Sequence, residues 1–184
     1  PGHVVPMLPF ALSDGLCSLV PGEDRLAFSV FLEIGPDGRC LGAEFAKSVI
    51  CSKARMTYNN VNKILDGDAE LCKKYDFLVD TARKMADLAD LLRRRRMERG
   101  ALDLDIPEAE IAVDEQGEPV DVFYRPRGCA EKMIEEFMLQ ANEAVAQFMD
   151  THNHPAVYRV HENPDPEKLR VFAQFARPFG HRID

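Results

Sequence analysis

The sequence predicts an α+β fold in which antiparallel β-hairpins pack with long helices. Two stretches alternate apolar and polar residues around a glycine-containing turn, and two long stretches repeat apolar residues at spacings of three and four. The sequence lacks the regular strand-helix-strand alternation that would indicate a parallel sheet. At 184 residues, with 46% hydrophobic and 29% charged residues, the chain has the composition of one soluble domain with a packed core.

The amino-terminal part is expected to be a loop followed by a hairpin. Prolines and glycines punctuate residues 1–25, which predicts an extended loop. Residues 26–34 are rich in β-branched and aromatic side chains, Gly35-Pro36-Asp37-Gly38 favours a turn, and residues 40–51 resume a strand-like pattern. The sequence therefore predicts a first antiparallel hairpin.

Two helices are predicted next. Thr57 is a plausible N-cap for a short helix that ends at residue 65, before an Asp-Gly-Asp sequence. Residues 69–99 are expected to form one long helix closed by Gly100, because they carry a single apolar stripe. The stripe consists of Leu71, Tyr75, Leu78, Ala82, Met85, Ala89 and Leu92.

The second half of the chain repeats the hairpin and helix patterns. Residues 101–108 and 110–124 alternate in strand fashion, and Glu115-Gln116-Gly117 would be the turn between them. Residues 130–151 are apolar over more than half of a helical circumference, which predicts a largely buried helix. A short strand over residues 157–160 and a last helix starting at Asp165-Pro166 complete the prediction.

The cysteines and the chain's first residue bear on compartment and completeness. Five scattered cysteines without a C-x-x-C pair are expected to be reduced core residues, which favours a reducing compartment such as the cytoplasm. Neither a signal peptide nor a membrane span is predicted. Because the chain starts with proline rather than methionine, it is expected to be a piece of something longer.

Charge gives a mixed indication about nucleic acid. The net charge of −8 is opposite to that expected of a free-standing nucleic-acid binder. However, residues 93–96 are four consecutive arginines at the end of the predicted long helix, and Arg99 follows. This cluster fits either a solvated helix end or a phosphate contact, because guanidinium groups bind phosphate bidentately.

Two small clusters resemble metal sites only weakly. Asp103 and Asp105 would face the same side of a strand and could share a divalent metal, although edge-strand carboxylates usually have no such role. His152 and His154 lie in a polar turn without a third ligand at useful spacing, so a loop role is expected.

Tyr58 and Glu135 each allow a structural and a functional interpretation. An aromatic side chain at a helix start either covers the core or stacks on a nucleobase. Glu135 shares its helix face with Asn142, and its carboxylate is either structural or accepts from a ribose 2′-hydroxyl. Pattern alone favours the structural interpretation of both residues.

The chain resembles the RNB-type exoribonucleases, the ribonuclease II and ribonuclease R family. The most specific segment is residues 6–34, PMLPFALSDGLCSLVPGEDRLAFSVFLEI, which is similar to an M-L-P loop followed by L-S-x-x-L-C-S-L-x-P-x-x-D-R-L-A. Four further segments follow in the family's order, so that nearly the whole chain is covered. They are SKARMTYNNVNKILDG, RRRRMERGALDLDIPE, KMIEEFMLQANEAVAQF and AVYRVHENPDPEKL.

The resemblance implies processive, Mg²⁺-dependent hydrolysis of single-stranded RNA from the 3′ end to nucleoside 5′-monophosphates. Tyr58 and Glu135 match family positions that help to distinguish RNA from DNA at the sugar. Leu104 stands where the family has a phenylalanine that clamps the terminal base, and leucine stacks less well. Arg95 and Arg96 are the arginines expected to contact RNA.

The resemblance also implies that catalysis depends on residues outside the chain. The family's D-x-x-D-x-D-D-A-like aspartate cluster and its arginine-bearing S-P-I-R-x-Y-type segment are not reproduced here. Residues 1–184 are therefore expected to be the central part of an RNB catalytic domain, without bound Mg²⁺, inactive alone and prone to self-association where the remaining parts of the domain are missing. The alternative is a non-catalytic RNA- or protein-binding module from a degenerate RNB homologue.

Overall fold

The protein has the predicted α+β architecture in a computed structural model that describes residues 5–102, 108–114, 116–125 and 127–183. The chain divides into two compact units, Pro1–Gln147 and Phe148–Asp184. The first unit contains two antiparallel hairpins and most of the helices. The second unit contains the end of one long helix and a carboxy-terminal helix.

The first hairpin confirms the prediction from residues 26–51. Strand β1, Asp24–Ile34, pairs antiparallel with β2, Cys40–Cys51, with a register shift at the end of β1. At the turn, Gly38 has φ +75°, and a Cβ there would lie 3.3 Å from Leu91 Cγ. Only glycine combines that backbone conformation with so close an approach to a neighbouring helix.

Three helices follow where two were predicted. Helix α1, Tyr58–Leu65, begins as expected, because Thr57 Oγ1 accepts from the amide of Asn60 at 3.2 Å. The predicted long helix is instead α2, Ala69–Lys74, and α3, Asp76–Glu98. Tyr75 breaks it with φ −115° and ψ 34°, which are not helical values. Neither glycine nor proline marks this position in the sequence, so periodicity alone predicted a continuous helix.

The second hairpin and the second long helix also form. Strands β3, Glu108–Val113, and β4, Pro119–Arg125, pair antiparallel, and helix α4 spans Cys129–Thr151. The expectation that α4 is largely buried was wrong in part, since Met138 is 60% exposed and Val145 43% exposed. The stretch that contains Leu104, Asp103 and Asp105 lies outside the described residues.

The core of the first unit is small and helical. Its buried apolar side chains come from α1, α3 and α4, and the same interior contains one buried charged residue, Glu136. The apolar members are Ile64, Val79, Ala89, Leu92, Ala130, Met133 and Ala144. The helix α1 that carries Tyr58 and the helix α4 that carries Glu135 thus contribute to one core.

Two expectations for the first unit were wrong. The amino-terminal loop contains a short π-helix, Ala11–Leu16, at whose end the amide of Cys17 donates to the carbonyl of Leu12 at 2.9 Å. The cysteines are free, but four of the five are exposed rather than buried. Cys40 and Cys51 illustrate the reason, because they lie at the ends of β2, where few neighbours cover a side chain.

The second unit is built around α5, Pro166–Ala176, which begins as predicted. Asp165 caps it by accepting from the amide of Glu167 at 2.8 Å, and proline occupies the first turn. The strand predicted over residues 157–160 was wrong, because these described residues pair with no strand and Val157 is fully exposed. At the end of α4, a ring nitrogen of His152 lies 2.9 Å from the carbonyl oxygen of Phe148, which fits a loop role.

Among the described residues, no helix combines the length and the apolar character needed to cross a membrane.

Candidate functional site

Tyr58 is the first residue of α1 and lies beside a cavity in the helical layer of the first unit. Its side chain is 40% exposed, and it contributes to the wall of a cavity of about 680 Å³ between α1, α3 and α4. Most of the wall is apolar, with members that include Val61, Leu78, Met85, Met133 and Ile134. A half-exposed aromatic ring at such an opening can stack on a planar ligand.

A hydrogen-bond cluster fixes α1 to the start of α4. Asn62 Nδ2 donates to Glu131 Oε2 at 3.0 Å, and Asn62 Oδ1 accepts from the amide of Ala130 at 2.8 Å. Glu131 Oε2 also accepts from the amide of Gly128 at 3.1 Å. The cluster satisfies amide groups that every helix start leaves without an intrahelical partner. We refer to Asn62, Glu131, Gly128 and Ala130 as the α1–α4 clamp.

Glu135 lies one turn after Glu131 and is contacted by two arginines. Arg127 Nη2 donates to its Oε2, and Arg96 Nη2 lies 3.5 Å from its Oε1. The carboxylate remains 37% exposed. Glu135 is therefore both held in place and accessible to a ligand from outside.

Glu136, the next residue, is the buried charged group of the core. It is 1% exposed, and Arg96 donates to it from Nε at 3.1 Å to each oxygen and from Nη2 at 2.6 Å to Oε1. A buried carboxylate is tolerated when it is paired and hydrogen-bonded in this way. Arg96 thus ties the end of α3 to α4.

The arginine run predicted from the sequence divides into different environments. Arg96 points to the α4 carboxylates, whereas Arg95 lines a polar cavity of about 190 Å³ beside the first hairpin turn, together with Arg39. Arg99 Nη2 lies 2.8 Å from Glu143 Oε1, and this contact raises the pKa of the Arg99 guanidinium. The run is therefore more than a solvated helix end.

The structure places the two sugar candidates on neighbouring helices but adds residues that the sequence did not single out. Asn62, Arg127 and Glu136 were missed, because their partners are distant in sequence or lie within a charged run. One signal was present: two adjacent glutamates on a helix predicted to be buried require cationic partners. Within the described part of the chain, no three His, Cys, Asp or Glu side chains converge as metal ligands.

The sequence over residues 1–184 matches the RNB domain model, so the chain belongs to the RNB domain family. Among curated relatives it is 47% identical over 180 residues to ribonuclease R of Thermotoga maritima, covering 97% of the chain and 25% of that protein. It is 44% identical over 182 residues to ribonuclease R 1 of Lactococcus lactis, covering 99% of the chain and 22% of that protein. The chain thus spans about a quarter of these relatives.

Solved structures show the same fold. The chain superposes on Mycoplasma genitalium RNase R in complex with double-stranded RNA with a TM-score of 0.89 and 36% identity, over 98% of this chain and 32% of that one. The complex of that enzyme with ribose-methylated single-stranded RNA gives the same TM-score over 97% and 28%. Dss1 exoribonuclease from Candida glabrata, at 18% identity and a TM-score of 0.61 over 84% and 20%, shares the fold.

Proposed function

We propose that the chain is the central part of the catalytic domain of a processive 3′-to-5′ exoribonuclease. The enzyme hydrolyses single-stranded RNA to nucleoside 5′-monophosphates with Mg²⁺ and acts in the cytoplasm. Within this enzyme, residues 1–184 recognise the RNA, and in particular its ribose. Membership of the RNB family and similarity to ribonuclease R support this proposal.

The observation that carries the proposal is the joint placement of Tyr58 and Glu135. The α1–α4 clamp joins Asn62, one turn after Tyr58, to Glu131, one turn before Glu135. A stacking surface and a hydrogen-bond acceptor are thereby fixed on adjacent helices. An aromatic ring for the base and a carboxylate for the 2′-hydroxyl are groups that recognise single-stranded RNA.

The acceptor chemistry at Glu135 suits a ribose hydroxyl. An ionised carboxylate accepts hydrogen bonds and donates none, so it pairs with a 2′-hydroxyl and finds no partner at the same carbon of deoxyribose. An unmet polar group in a site built for a hydroxyl costs affinity for the deoxy substrate. A preference for RNA follows from that difference.

Other contacts with RNA belong to the same proposal. Arg95, which lines the cavity beside the hairpin turn, binds a phosphate of the RNA. Arg96 acts through the carboxylates that it holds, and Leu104 packs against the terminal base without the stacking strength of an aromatic ring. Mg²⁺ would be held by the family's aspartate cluster, which this sequence does not contain, and would activate the attacking water.

The experiment is an incubation of the full-length protein with Mg²⁺ and a single-stranded RNA labelled at its 5′ end or uniformly. The expected result is a ladder that shortens from the 3′ end, with nucleoside 5′-monophosphates as products. Products that carry 3′-phosphates, or internal cleavage, would contradict the proposal. The net charge of −8 favours one rival, a non-catalytic binding module, for which RNA would be bound but left intact.

A further inference from the structure

We infer that Arg127 is a positioning residue that sets the preference of this site for ribose over deoxyribose. The inference rests on the proposed contact between Glu135 and the sugar. Arg127 Nη2 donates to Glu135 Oε2, and Arg96 Nη2 lies 3.5 Å from Glu135 Oε1. Each oxygen of the carboxylate therefore has its own arginine, which fixes the carboxylate's orientation.

The second arginine is itself held firmly. Arg96 is 17% exposed, and the buried Glu136 binds its Nε and Nη2 at 3.1 and 2.6 Å. The four side chains of Arg127, Glu135, Arg96 and Glu136 thus alternate in sign along one connected network. Arg127 is more exposed than Arg96, at 30% against 17%, so it is the more accessible of the two arginines that contact Glu135.

This arrangement leaves Glu135 able to bind a hydroxyl. Each carboxylate oxygen has two lone pairs, and one arginine donor occupies one of them on each oxygen. One lone pair on each oxygen remains free to accept a hydrogen bond from a ligand, because the side chain is 37% exposed. The two arginines fix the direction in which these lone pairs point. A glutamate without them would lose rotamer freedom when it bound the sugar. Removal of Arg127 should therefore weaken the contact with the 2′-hydroxyl while leaving contacts with phosphates in place.

The test compares two substrates in the full-length protein: a single-stranded RNA, and the same sequence with 2′-deoxynucleotides at its 3′ end. The ratio of their kcat/KM values is measured for the unaltered protein and for Arg127→Gln, Arg127→Lys, Glu135→Ala and the Arg127→Gln/Glu135→Ala double variant. Arg83→Gln is the matched control, because Arg83 forms an exposed ion pair with Asp80 elsewhere on α3.

We expect Arg127→Gln to lower kcat/KM for the RNA about tenfold and to leave kcat/KM for the 2′-deoxy substrate unchanged, so that the ratio falls about tenfold. A change of this size corresponds to the loss of one charge-assisted hydrogen bond. Arg127→Lys, which keeps the charge, should show a smaller fall. The double variant should have the ratio of Glu135→Ala, because Arg127 acts through Glu135. Arg83→Gln should leave the ratio unchanged.

Equal losses of kcat/KM on both substrates, or an unchanged ratio, would overturn the positioning role. If Arg127→Gln does not fold, as judged by its thermal midpoint, Arg127→Lys decides by the same criteria. If Glu135→Ala lowers the ratio and the Arg127 variants do not, only this inference fails. If Glu135→Ala itself leaves the ratio unchanged, the proposed sugar contact fails and the inference fails with it.

Discussion

Asn62 on α1 donates a hydrogen bond of 3.0 Å to Glu131 on α4, and this bond lies one helical turn from Tyr58 on one side and from Glu135 on the other. Helix α1 spans only Tyr58–Leu65, and a helix of that length has little stability of its own. Its placement depends on tertiary contacts. The clamp therefore decides where the Tyr58 ring lies relative to the Glu135 carboxylate.

Replacement of Asn62 by alanine should destabilise the protein by about 1–3 kcal/mol, because it removes the acceptor of the part-buried Ala130 amide and one of the two donors to Glu131. Gly128→Ala should do similar harm, since the added Cβ would come within 2.8 Å of Asn62 Cγ. Urea unfolding followed by circular dichroism measures both changes in the free energy of unfolding.

The double variant Asn62→Ala/Gly128→Ala gives the decisive comparison for the clamp. Once Asn62 is shortened, the alanine at position 128 no longer meets its side chain, so the double variant should be less destabilised than the sum of the single variants. Strict additivity would show that the two residues do not act through one contact.

Loss of the ion pair between Arg96 and Glu136 should destabilise the protein strongly only when the buried charge of Glu136 is left without its partner. Arg96→Met leaves the carboxylate of Glu136, 1% exposed, without its main cation, and should cost about 3–5 kcal/mol of unfolding free energy. The Arg96→Met/Glu136→Met double variant should recover most of that loss, because the charge is gone. Arg83→Met, on the exposed face of α3, should change stability by less than about 0.5 kcal/mol. A double variant as unstable as Arg96→Met would disprove this account of the pair.

Local signals explain which parts of the fold could be predicted from the sequence. Thr57, Gly100 and Pro166 mark helix ends through their own backbone and side-chain chemistry, and each is found at the expected end. Tyr75 carries no such signal, so the break between α2 and α3 was missed. Residues 157–160 have strand composition, but composition cannot supply a strand partner.

Candidate site residues could be predicted only where family motifs mark single positions. Tyr58 and Glu135 lie in such motifs, whereas the contacts that hold them join residues far apart in the chain. Arg96 and Glu136, for example, are 40 residues apart. No periodicity reports which arginine of a run turns inward, because that choice depends on the packing of α3 against α4. The roles of Tyr58, Glu135, Leu104, Arg95 and Arg96 in RNA binding stay predictions.

Cys129 should react with iodoacetamide at higher pH in the folded than in the unfolded protein. Although Cys129 is an exposed residue, partial desolvation of its thiol, and next the charge of Asp90, raise the pKa of the thiol, whereas Lys132 acts in the opposite direction. The folded state therefore keeps the thiol proton to higher pH, and the stability due to this group is lost as the pH rises from the unfolded pKa through the folded one. Mass spectrometry of the alkylated peptide, with and without urea, gives both pH profiles. Asp90→Asn should shift the folded profile downward, and identical profiles in the two states would contradict the assignment.

The isolated 184-residue chain should neither degrade RNA nor remain monomeric. The first hairpin exposes large apolar side chains on its strands, with Leu26 84% exposed and Phe28 71% exposed. Such a surface favours association when nothing covers it. Size-exclusion chromatography with light scattering should show oligomers, and incubation with labelled RNA and Mg²⁺ should release no monophosphates. A monodisperse monomer would argue against coverage of the hairpin by other parts of the domain, and processive degradation would refute the dependence on residues outside the chain.

The most direct test of the central claim, that this part of the chain recognises ribose, is the preference of the full-length protein for RNA in Tyr58→Ala and Glu135→Ala variants. The measured quantity is the ratio of kcat/KM for an RNA to that for the same sequence with a 2′-deoxy 3′ end. Arg170→Gln, which removes an exposed ion pair with Glu167 on α5, is the control. We predict that both variants lower the ratio about tenfold or more, with thermal midpoints close to that of the control. Glu135→Ala removes the acceptor for the 2′-hydroxyl, and Tyr58→Ala removes the stacking that holds the nucleotide so that its sugar lies against Glu135. A ratio that stays unchanged in both variants would contradict the account.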